Sequence, residues 1–145
     1  MALRQSRVSR AGGALQYHIR ELLDAHRLKY VMEPKIDGGE LPDFLFPSEQ
    51  AYNDASFPAE RLRMLAAKYT AKDRWRQVLN EAERIPNKHL LTLEAAITVK
   101  QIDLMQRAKL TLVIPAAIRA RYSAPLASRI STVSAFFAEL QDLQR

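Results

Sequence analysis

The first regular pattern of apolar positions lies between residues 12 and 28. Within this stretch, apolar side chains recur at three- and four-residue spacing, which places them on one face of a helix. Polar residues fall on the opposite face, so the pattern predicts an amphipathic helix. The apolar positions are Leu15, Ile19, Leu22 and Leu23, and the polar positions are Arg20, Asp24 and Arg27.

Three segments with strand-like patterns follow this helix. The first, at 30–36, is short and mixed, and the Asp37-Gly38-Gly39 sequence after it marks a turn. The second, PDFLF at 42–46, is apolar, and the third, RLRMLAAKYT at 61–70, is apolar enough on both faces for a central strand. A polar connector, 47–60, separates the last two. Loops of this length within a compact domain are often functional.

The segment from Asp73 to Pro86 predicts the next helix. Asp73 can cap its start, and Pro86 biases Ile85 away from helical geometry, so we expect the helix to end there. On a helical wheel, Glu81 lies about 60° from Val78, at the border of the apolar stripe. Its carboxylate can therefore point toward the edge of the sheet. The stripe consists of Trp75, Val78, Leu79, Ala82 and Ile85.

A regular alternation of strand and helix completes the chain. Strands are predicted at 89–93 and 110–114, and the helix between them, 99–108, begins with a capping-box pattern at Thr98 and Gln101. A short helical piece after Pro115 precedes a final helix near 131–143. The resulting order, α-β-β-β-α-β-α-β-α, predicts a single α/β domain with a central mixed β-sheet flanked by helices.

The composition narrows the class of protein. At 145 residues and 48% hydrophobic, the chain is long enough for one domain with a real core. It has no run of 18 or more apolar residues, so we expect no membrane span. It has no cysteine, which excludes disulfides and thiolate metal sites. The basic start lacks the apolar segment of a secretory signal, so a cytoplasmic location is expected.

The distribution of charge says more than the net charge of +6. Residues 1–30 contain six basic and two acidic side chains. Residues 31–60 contain one basic and seven acidic side chains, and residues 61–90 contain eight basic and three acidic ones. Two basic segments around an acidic one favour an acidic pocket beside a surface that attracts polyanions. A metal-dependent enzyme acting on nucleic acid needs that arrangement. The alternative is a solvated surface of mixed charge.

Three residues have the chemistry and the expected positions of a hydrolytic site. Asp43 lies at the start of one strand, Lys68 lies near the end of a neighbouring strand, and Glu81 is expected to point toward them from the next helix. Hydrolysis of a phosphodiester needs a divalent cation and a positive charge that holds the attacking water. Because Mg²⁺ prefers oxygen ligands, two carboxylates and a lysine at one sheet edge would meet these needs.

Each of these residues also has a simpler interpretation. Asp43 after a proline can end a loop, Lys68 can extend to solvent, and Glu81 can pair on the surface with Arg84 or Arg74. The three histidines lie on different elements without metal-ligand spacing, which favours ordinary core or surface roles. They are His18, His26 and His89.

The order of elements and these residues together resemble the PD-(D/E)XK nuclease fold. A closer resemblance, to the C-terminal catalytic domain of EcoRII-type restriction endonucleases, covers the chain from about Arg7 to the last helix. The segments that carry it are SRAGGAL, PDFLFPS, AYND, FPAERLRMLAAKYTAKDRWRQVLNEAERI, HLLTLE and LVIP. The resemblance implies one domain over residues 1–145, with a basic DNA-contacting arm at 1–13 and a catalytic core at 14–145.

The resemblance also implies roles for individual residues. The family's catalytic aspartate, lysine and glutamate fall on Asp43, Lys68 and Glu81, and the two carboxylates would hold Mg²⁺. Ala66, two positions before the lysine, cannot bind a metal, so the second carboxylate is the one at Glu81. Lys72 resembles a second basic residue of the active site, which could contact the scissile phosphate or take the place of Lys68.

Further residues are implied in DNA contacts. Arg7 and Arg10, in the RVSRAG stretch, are expected to contact a groove or phosphates, because the paired donors of arginine suit guanine. Arg74 and Arg76 are expected on backbone phosphates. Where some family members carry a glutamate in the first helix, Gln16 stands here, and Glu21 is the other residue that could replace it.

The activity implied is that of a Mg²⁺-dependent type II restriction endonuclease. It would cut duplex DNA at a short site of the CCWGG kind and leave 5′-phosphate and 3′-hydroxyl ends. It would act as a homodimer, with a cognate DNA methyltransferase encoded nearby. Two alternatives remain open at this point: a catalytically silent DNA-binding module of the same fold, and a repair or structure-specific nuclease.

Overall fold

The structure is a computed structural model that describes residues 11–36 and 40–145. Arg7, Arg10 and the predicted turn at 37–39 lie outside the described residues. Within the described part, a five-stranded sheet has its strands in chain order. The strands are β1 Val31–Met32, β2 Phe44–Phe46, β3 Arg63–Ala67, β4 Lys88–Leu91 and β5 Leu110–Val113.

The sheet is mixed, as the sequence predicts. The strands β1, β2 and β3 are antiparallel neighbours, with Leu45 opposite Met64. The strands β3, β4 and β5 are parallel, and Leu90 lies opposite both Ala66 and Leu112. Because parallel strands need a crossover between them, two connections pass over the sheet, one from β3 to β4 and one from β4 to β5.

The described helices cover both faces of this sheet. They are α1 Ala11–Ala25, α2 Glu49–Asn53, α3 Trp75–Val78, α4 Val99–Arg107, α5 Ala116–Arg119, α6 Ala124–Ala127 and α7 Val133–Leu143, with a short 3-10 turn at Ala59–Arg61. None of them is long and apolar enough to cross a membrane.

Alternate residues of the strands feed two separate apolar layers. Phe44, Leu65 and Leu91 pack on one face against residues of α1 and α7. Leu45 and Leu90, which point the other way, pack with residues of α3 and α4. The strands are therefore buried on both faces, which explains why their sequences are nearly continuous apolar runs.

The polar connector predicted at 47–60 contains a short helix that the sequence pattern did not reveal. Ser48 caps α2, because its hydroxyl accepts a hydrogen bond from the amide of Ala51 at 3.1 Å. Ala51 and Tyr52 are buried by this helix. No helix was predicted within the connector because a single apolar pair gives no periodic signal.

The helix predicted from residue 73 to 85 is the second correction. Only Trp75–Val78 is helical, and Glu81 instead forms a parallel bridge with Glu40. The amide of Glu40 donates to the carbonyl of Asn80 at 2.8 Å, and the amide of Ala82 donates to the carbonyl of Glu40 at 3.0 Å. This pairing takes the main-chain groups that a longer helix would use, so the helix ends early.

The predictions for the second crossover are confirmed. The helix α4 lies within one residue of the predicted bounds, and the hydroxyl of Thr98 accepts a hydrogen bond from the amide of Gln101 at 3.2 Å. The final helix α7 begins in the same way, with Thr132 capping the amide of Ala135 at 3.1 Å.

Candidate active site

Asp43 lies immediately before β2, with its carboxylate between α1 and the end of β3. One oxygen accepts a hydrogen bond from the main-chain amide of Ala67 at 2.7 Å, and the other accepts one from the side-chain amide of Gln16. Burial raises the pKa of this carboxyl, against the lowering effects of the Ala67 amide and the Lys68 charge. The aspartate is thus fixed in place and costly to ionise.

Lys68 directly follows β3 and extends the parallel pairing of that strand. Its amide donates to the carbonyl of Leu91 at 3.0 Å, and its side chain is only partly exposed. The Lys68 charge lowers the pKa of both Asp43 and Glu81. A single ammonium group is therefore near both carboxylates.

Glu81 is buried, with 7% of its surface exposed. Burial raises its pKa to about 8, and the negative charges of Asp43 and Glu40 act in the same direction, while Lys68 and Lys88 oppose the shift. Its Oε1 atom is buried without a hydrogen-bond partner among the described residues. A buried carboxyl oxygen without a partner is unusual, and this one is available to bind a ligand.

The alternative that Glu81 pairs with a surface arginine is wrong. The Arg84 guanidinium donates instead to main-chain carbonyls of the segment around α2, with the Ala51 oxygen at 3.2 Å and the Asp54 oxygen at 3.0 Å. Arg84 thus anchors the connector, and the buried Glu81 stays available to the site.

The first helix contributes Gln16 to the site, and Glu21 lies elsewhere. Gln16 is partly buried and contacts Asp43, whereas Glu21 is exposed to solvent. The side chain at this position therefore contributes an uncharged amide, which can donate to the aspartate but adds no negative charge.

The basic residues of the β3–α3 segment are exposed. Lys72 places its Nζ atom 4.0 Å from Oε2 of Glu94. The Arg76 guanidinium lies over the Trp75 ring, 4.4 Å from the ring centroid, and Arg74 precedes α3. All three basic side chains are thus on the solvent side of the segment that begins at Lys68.

Two residues of this neighbourhood had no role in the sequence predictions. Lys88 is 5% exposed, and its ammonium donates to the carbonyls of Ala82, at 2.9 Å, and Ile85. Burial lowers the pKa of Lys88, and the charge of Glu81 opposes that shift. A lysine directly before an apolar strand was the available signal, but the strand was predicted to begin one residue later.

Glu94 is the second residue without a predicted role. Its Oε1 atom accepts hydrogen bonds from the amides of Ala71, at 2.7 Å, and Lys72, at 3.2 Å. It lies in the HLLTLE segment that carries the family resemblance. No local pattern indicates that a residue after β4 would hold the chain after β3.

The histidines do not form a metal site with the carboxylates. His18 and His26 are exposed, and His89 is buried against Phe136 with ring centroids 4.7 Å apart. The described residues contain no group of three or more histidine or carboxylate side chains arranged around a metal position. Any cation at this edge would therefore depend on two carboxylates.

Two carboxylates match the coordination that Mg²⁺ prefers in proteins, because the ion keeps several waters and binds phosphate oxygens directly. Glu81 offers an oxygen without a partner, and each Asp43 oxygen retains a second lone pair beyond its hydrogen bond. The donor set is all oxygen, so it fits a hard cation rather than a soft one.

The sheet order and the helices around it define the class of protein as restriction-endonuclease-like. Ecl18kI, solved metal-depleted with uncleaved, modified DNA, has a TM-score of 0.81 at 23% identity over 98% of this chain and 48% of its own. The PspGI–substrate DNA complex has a TM-score of 0.72 at 18% identity, over 98% of this chain and 64% of its own. These likenesses show the fold.

The sequence comparison identifies the family. A model described as EcoRII C terminal matches residues 1–137, and the chain belongs to that family. The type II restriction enzyme EcoRII of Escherichia coli is 44% identical over 138 residues, which cover 94% of this chain. The chain spans about a third of that enzyme, 34% of its length.

Proposed function

We propose that this chain is a Mg²⁺-dependent type II restriction endonuclease that hydrolyses phosphodiester bonds of duplex DNA. The observation that carries the proposal is the buried Glu81 carboxylate, which has an oxygen without a partner in the part of the chain that the structure describes and interacts electrostatically with Asp43 and Lys68. The 44% identity to EcoRII supports the same activity, and so does the fold shared with two DNA-bound restriction endonucleases.

Asp43 and Glu81 would hold the metal ion. When bound, Mg²⁺ polarises a phosphoryl oxygen and lowers the pKa of a coordinated water. Lys68 would orient the attacking water and offset negative charge that develops on the phosphoryl group. The hydrogen bonds of Gln16 and Ala67 would keep the Asp43 carboxylate in one orientation. Hydrolysis would leave 5′-phosphate and 3′-hydroxyl ends.

The exposed basic residues would bind the DNA backbone. Lys72, Arg74 and Arg76 are exposed and follow Lys68 in the chain, so they would bind phosphates near the scissile bond. Arg7 and Arg10 would contact the groove or further phosphates. The family relationship supports a short CCWGG-like site, a homodimer with one active site per strand, and a cognate DNA methyltransferase in the same genome.

A cleavage assay tests this function. Unmethylated plasmid DNA is incubated with the full chain and Mg²⁺, with EDTA in place of Mg²⁺, and with the variants Asp43→Asn and Lys68→Met. We expect discrete fragments with Mg²⁺ only, and none with either variant, and sequencing of the fragment ends gives the site. Cleavage in EDTA, or by both variants at the wild-type rate, would contradict the proposed site.

Two other outcomes would identify the alternatives. Intact plasmid that is retarded in a gel shift would indicate a silent DNA-binding module. Preferential cutting of branched or mismatched DNA over plasmid would indicate a structure-specific nuclease. A Lys100→Met protein, changed at an exposed lysine of α4, serves as the matched control in each assay.

A further inference from the structure

Side chains that follow β4 hold the main chain that follows β3. The Thr92 hydroxyl donates to the carbonyl of Tyr69 at 3.0 Å, and Glu94 Oε1 accepts the amides of Ala71 and Lys72 at 2.7 and 3.2 Å. The other carboxylate oxygen of Glu94 lies 4.0 Å from Lys72 Nζ. One glutamate thus contacts both the main chain and the ammonium of this segment.

Glu94 is itself held firmly. Its amide donates to the Thr92 hydroxyl at 3.3 Å, and its carbonyl accepts the Tyr122 hydroxyl at 2.7 Å. The Tyr122 oxygen in turn accepts the amide of Ile97 at 3.3 Å. Because Thr92 is fully buried and Tyr122 is 8% exposed, this network is a rigid support rather than a surface contact.

The main-chain amides of the segment that Glu94 holds need hydrogen-bond acceptors from outside the segment. Residues 68–74 form neither strand nor helix, so the amides of Ala71 and Lys72 have no regular partner of their own. The carbonyl of Ala71 accepts the amides of Arg74 and Trp75, at 3.0 and 2.9 Å, where α3 begins. Ala71 is therefore bound on both sides, and Glu94 connects the end of β4 to the start of α3.

This short stretch carries basic side chains of the proposed site. Lys68 is at one end, Lys72 is inside it and Arg74 is at the other end. A displacement of about 1 Å in a catalytic group can reduce the rate by about 10²-fold. The hydrogen bonds of Glu94 fix the path of the chain between these side chains, and its charge keeps the Lys72 ammonium close to that path.

We infer that Glu94 is a positioning residue of the nuclease site, which acts by holding the 68–74 segment and Lys72 in the geometry needed for cleavage. This inference rests on the proposed function. It assigns no contact between Glu94 and DNA or metal. The Glu94 carboxylate acts only through the amides and the ammonium that it binds.

Three variants separate the parts of this role. Glu94→Ala removes both the acceptor and the charge, whereas Glu94→Gln keeps an oxygen acceptor for the two amides and removes the charge. Glu49→Ala is the matched control, because Glu49 also accepts a main-chain amide, that of Lys35 at 2.8 Å, in another part of the chain.

The experiment combines amide hydrogen exchange by NMR with steady-state cleavage in Mg²⁺. In Glu94→Ala we expect exchange at Ala71 and Lys72 to rise about 10-fold or more, with the core strands unchanged. We expect kcat to fall about 10- to 100-fold and KM to stay within about threefold. Glu94→Gln should restore amide protection and most of kcat, and Glu49→Ala should match the wild type.

Several outcomes would overturn the inference. Wild-type kcat in Glu94→Ala would show that Glu94 has no positioning role, and so would equal losses of kcat in Glu94→Ala and Glu49→Ala. A loss explained by a smaller folded fraction, seen as faster exchange throughout the core, would make Glu94 a general stability residue. If the wild-type chain itself cuts no DNA, the proposed function fails, and the exchange data still decide whether Glu94 holds the segment.

Discussion

The two crossovers of the parallel sheet are nearly equal in length but are built in opposite ways. The first, 68–87, joins β3 to β4 and has only the four helical residues Trp75–Val78. The second, 92–109, joins β4 to β5 and has the nine-residue helix Val99–Arg107. The first contains Lys68 and Glu81, whereas the second contains no residue proposed to contact metal or DNA and contributes only Glu94, which holds the first.

The main-chain hydrogen bonds of the two crossovers are formed with different partners. In the second crossover, α4 uses its own residues, with Thr98 as its cap, and Tyr122 bonds to the main chain of Glu94 and Ile97 before the helix. The first depends on side chains and main chain from elsewhere: Glu94 at its start, Glu40 beside Asn80 and Ala82, and Lys88 at its end. Ala82 even adopts a positive φ of 46°, which is uncommon for a residue other than glycine.

This difference shows what an active site requires of its backbone. A regular helix would repeat one geometry and would be stabilised by its own hydrogen bonds. It would not bring Glu81 and Lys68 close to the carboxylate of Asp43. The irregular path does so at the expense of local hydrogen bonds, which distant residues replace. The crossover with the proposed site residues is therefore the one that depends most on the rest of the molecule.

The largest expected effect is on the rate of DNA cleavage, and it distinguishes the two crossovers. Lys68→Met removes the ammonium that serves both carboxylates and should reduce the cleavage rate by about 10³-fold. Lys100→Met, an exposed lysine of the second crossover, should leave the rate unchanged. Plasmid cleavage under single-turnover conditions measures both. Equal losses in the two variants would remove the functional distinction between the crossovers.

The next effect concerns stability of the first crossover. Lys88→Met leaves the carbonyls of Ala82 and Ile85 without their buried donor and should lower the free energy of unfolding by about 3 kcal/mol. Lys109→Met, at an exposed lysine before β5, should change it by less than about 0.5 kcal/mol. Urea denaturation gives both values. An undiminished stability of Lys88→Met would show that the first crossover does not need this support.

A smaller effect on stability should appear at acidic pH. It arises in β4, the strand that both crossovers share. Burial lowers the pKa of His89 in β4 to about 4, with Glu139 opposing the shift and Arg63 assisting it. Between its ordinary pKa near 6.5 and about 4, the unfolded chain binds a proton that the folded chain does not. Stability is therefore complete above pH 6.5 and declines as the pH falls, by about 2 kcal/mol near pH 5.

His89→Leu tests this source of acid sensitivity. The variant should lose that part of the pH dependence, and denaturation curves from pH 7 to pH 4 compare it with the wild type. Because β4 supports both crossovers, amide exchange in acid should rise in both together. If acid opened only the first crossover, the titrating group responsible would lie within that crossover.

The smallest effect belongs to the second crossover. Thr98→Ala removes the hydroxyl that caps α4 and should cost about 1 kcal/mol of stability. The cleavage rate of the folded protein should not change. Thermal unfolding and single-turnover cleavage test the two statements, with Thr111→Ala as a control outside any helix cap. A reduced rate would show that α4 supports the site in addition to Glu94.

Much of this fold follows from local patterns in the sequence. The apolar runs of β2 and β3, the alternation of the second half and the start of α4 all agree with prediction, because each depends on neighbouring residues. Asp43 and Lys68 were also predicted at strand ends, where the structure has them. The α2 helix and the true extent of α3 were not predicted, since Ser48 and Glu40 act through contacts that periodicity does not record.

Local patterns in the sequence account for the elements with regular periods and for the family resemblance, which implies roles for Asp43, Lys68 and Glu81. Only the tertiary structure decided that Glu40 ends α3, that Gln16 rather than Glu21 meets Asp43, and that Glu94 holds the chain after β3. The physical reason is that helix and strand periods arise between near neighbours. Burial, carboxylate pKa values and support of irregular backbone arise between residues far apart in the chain.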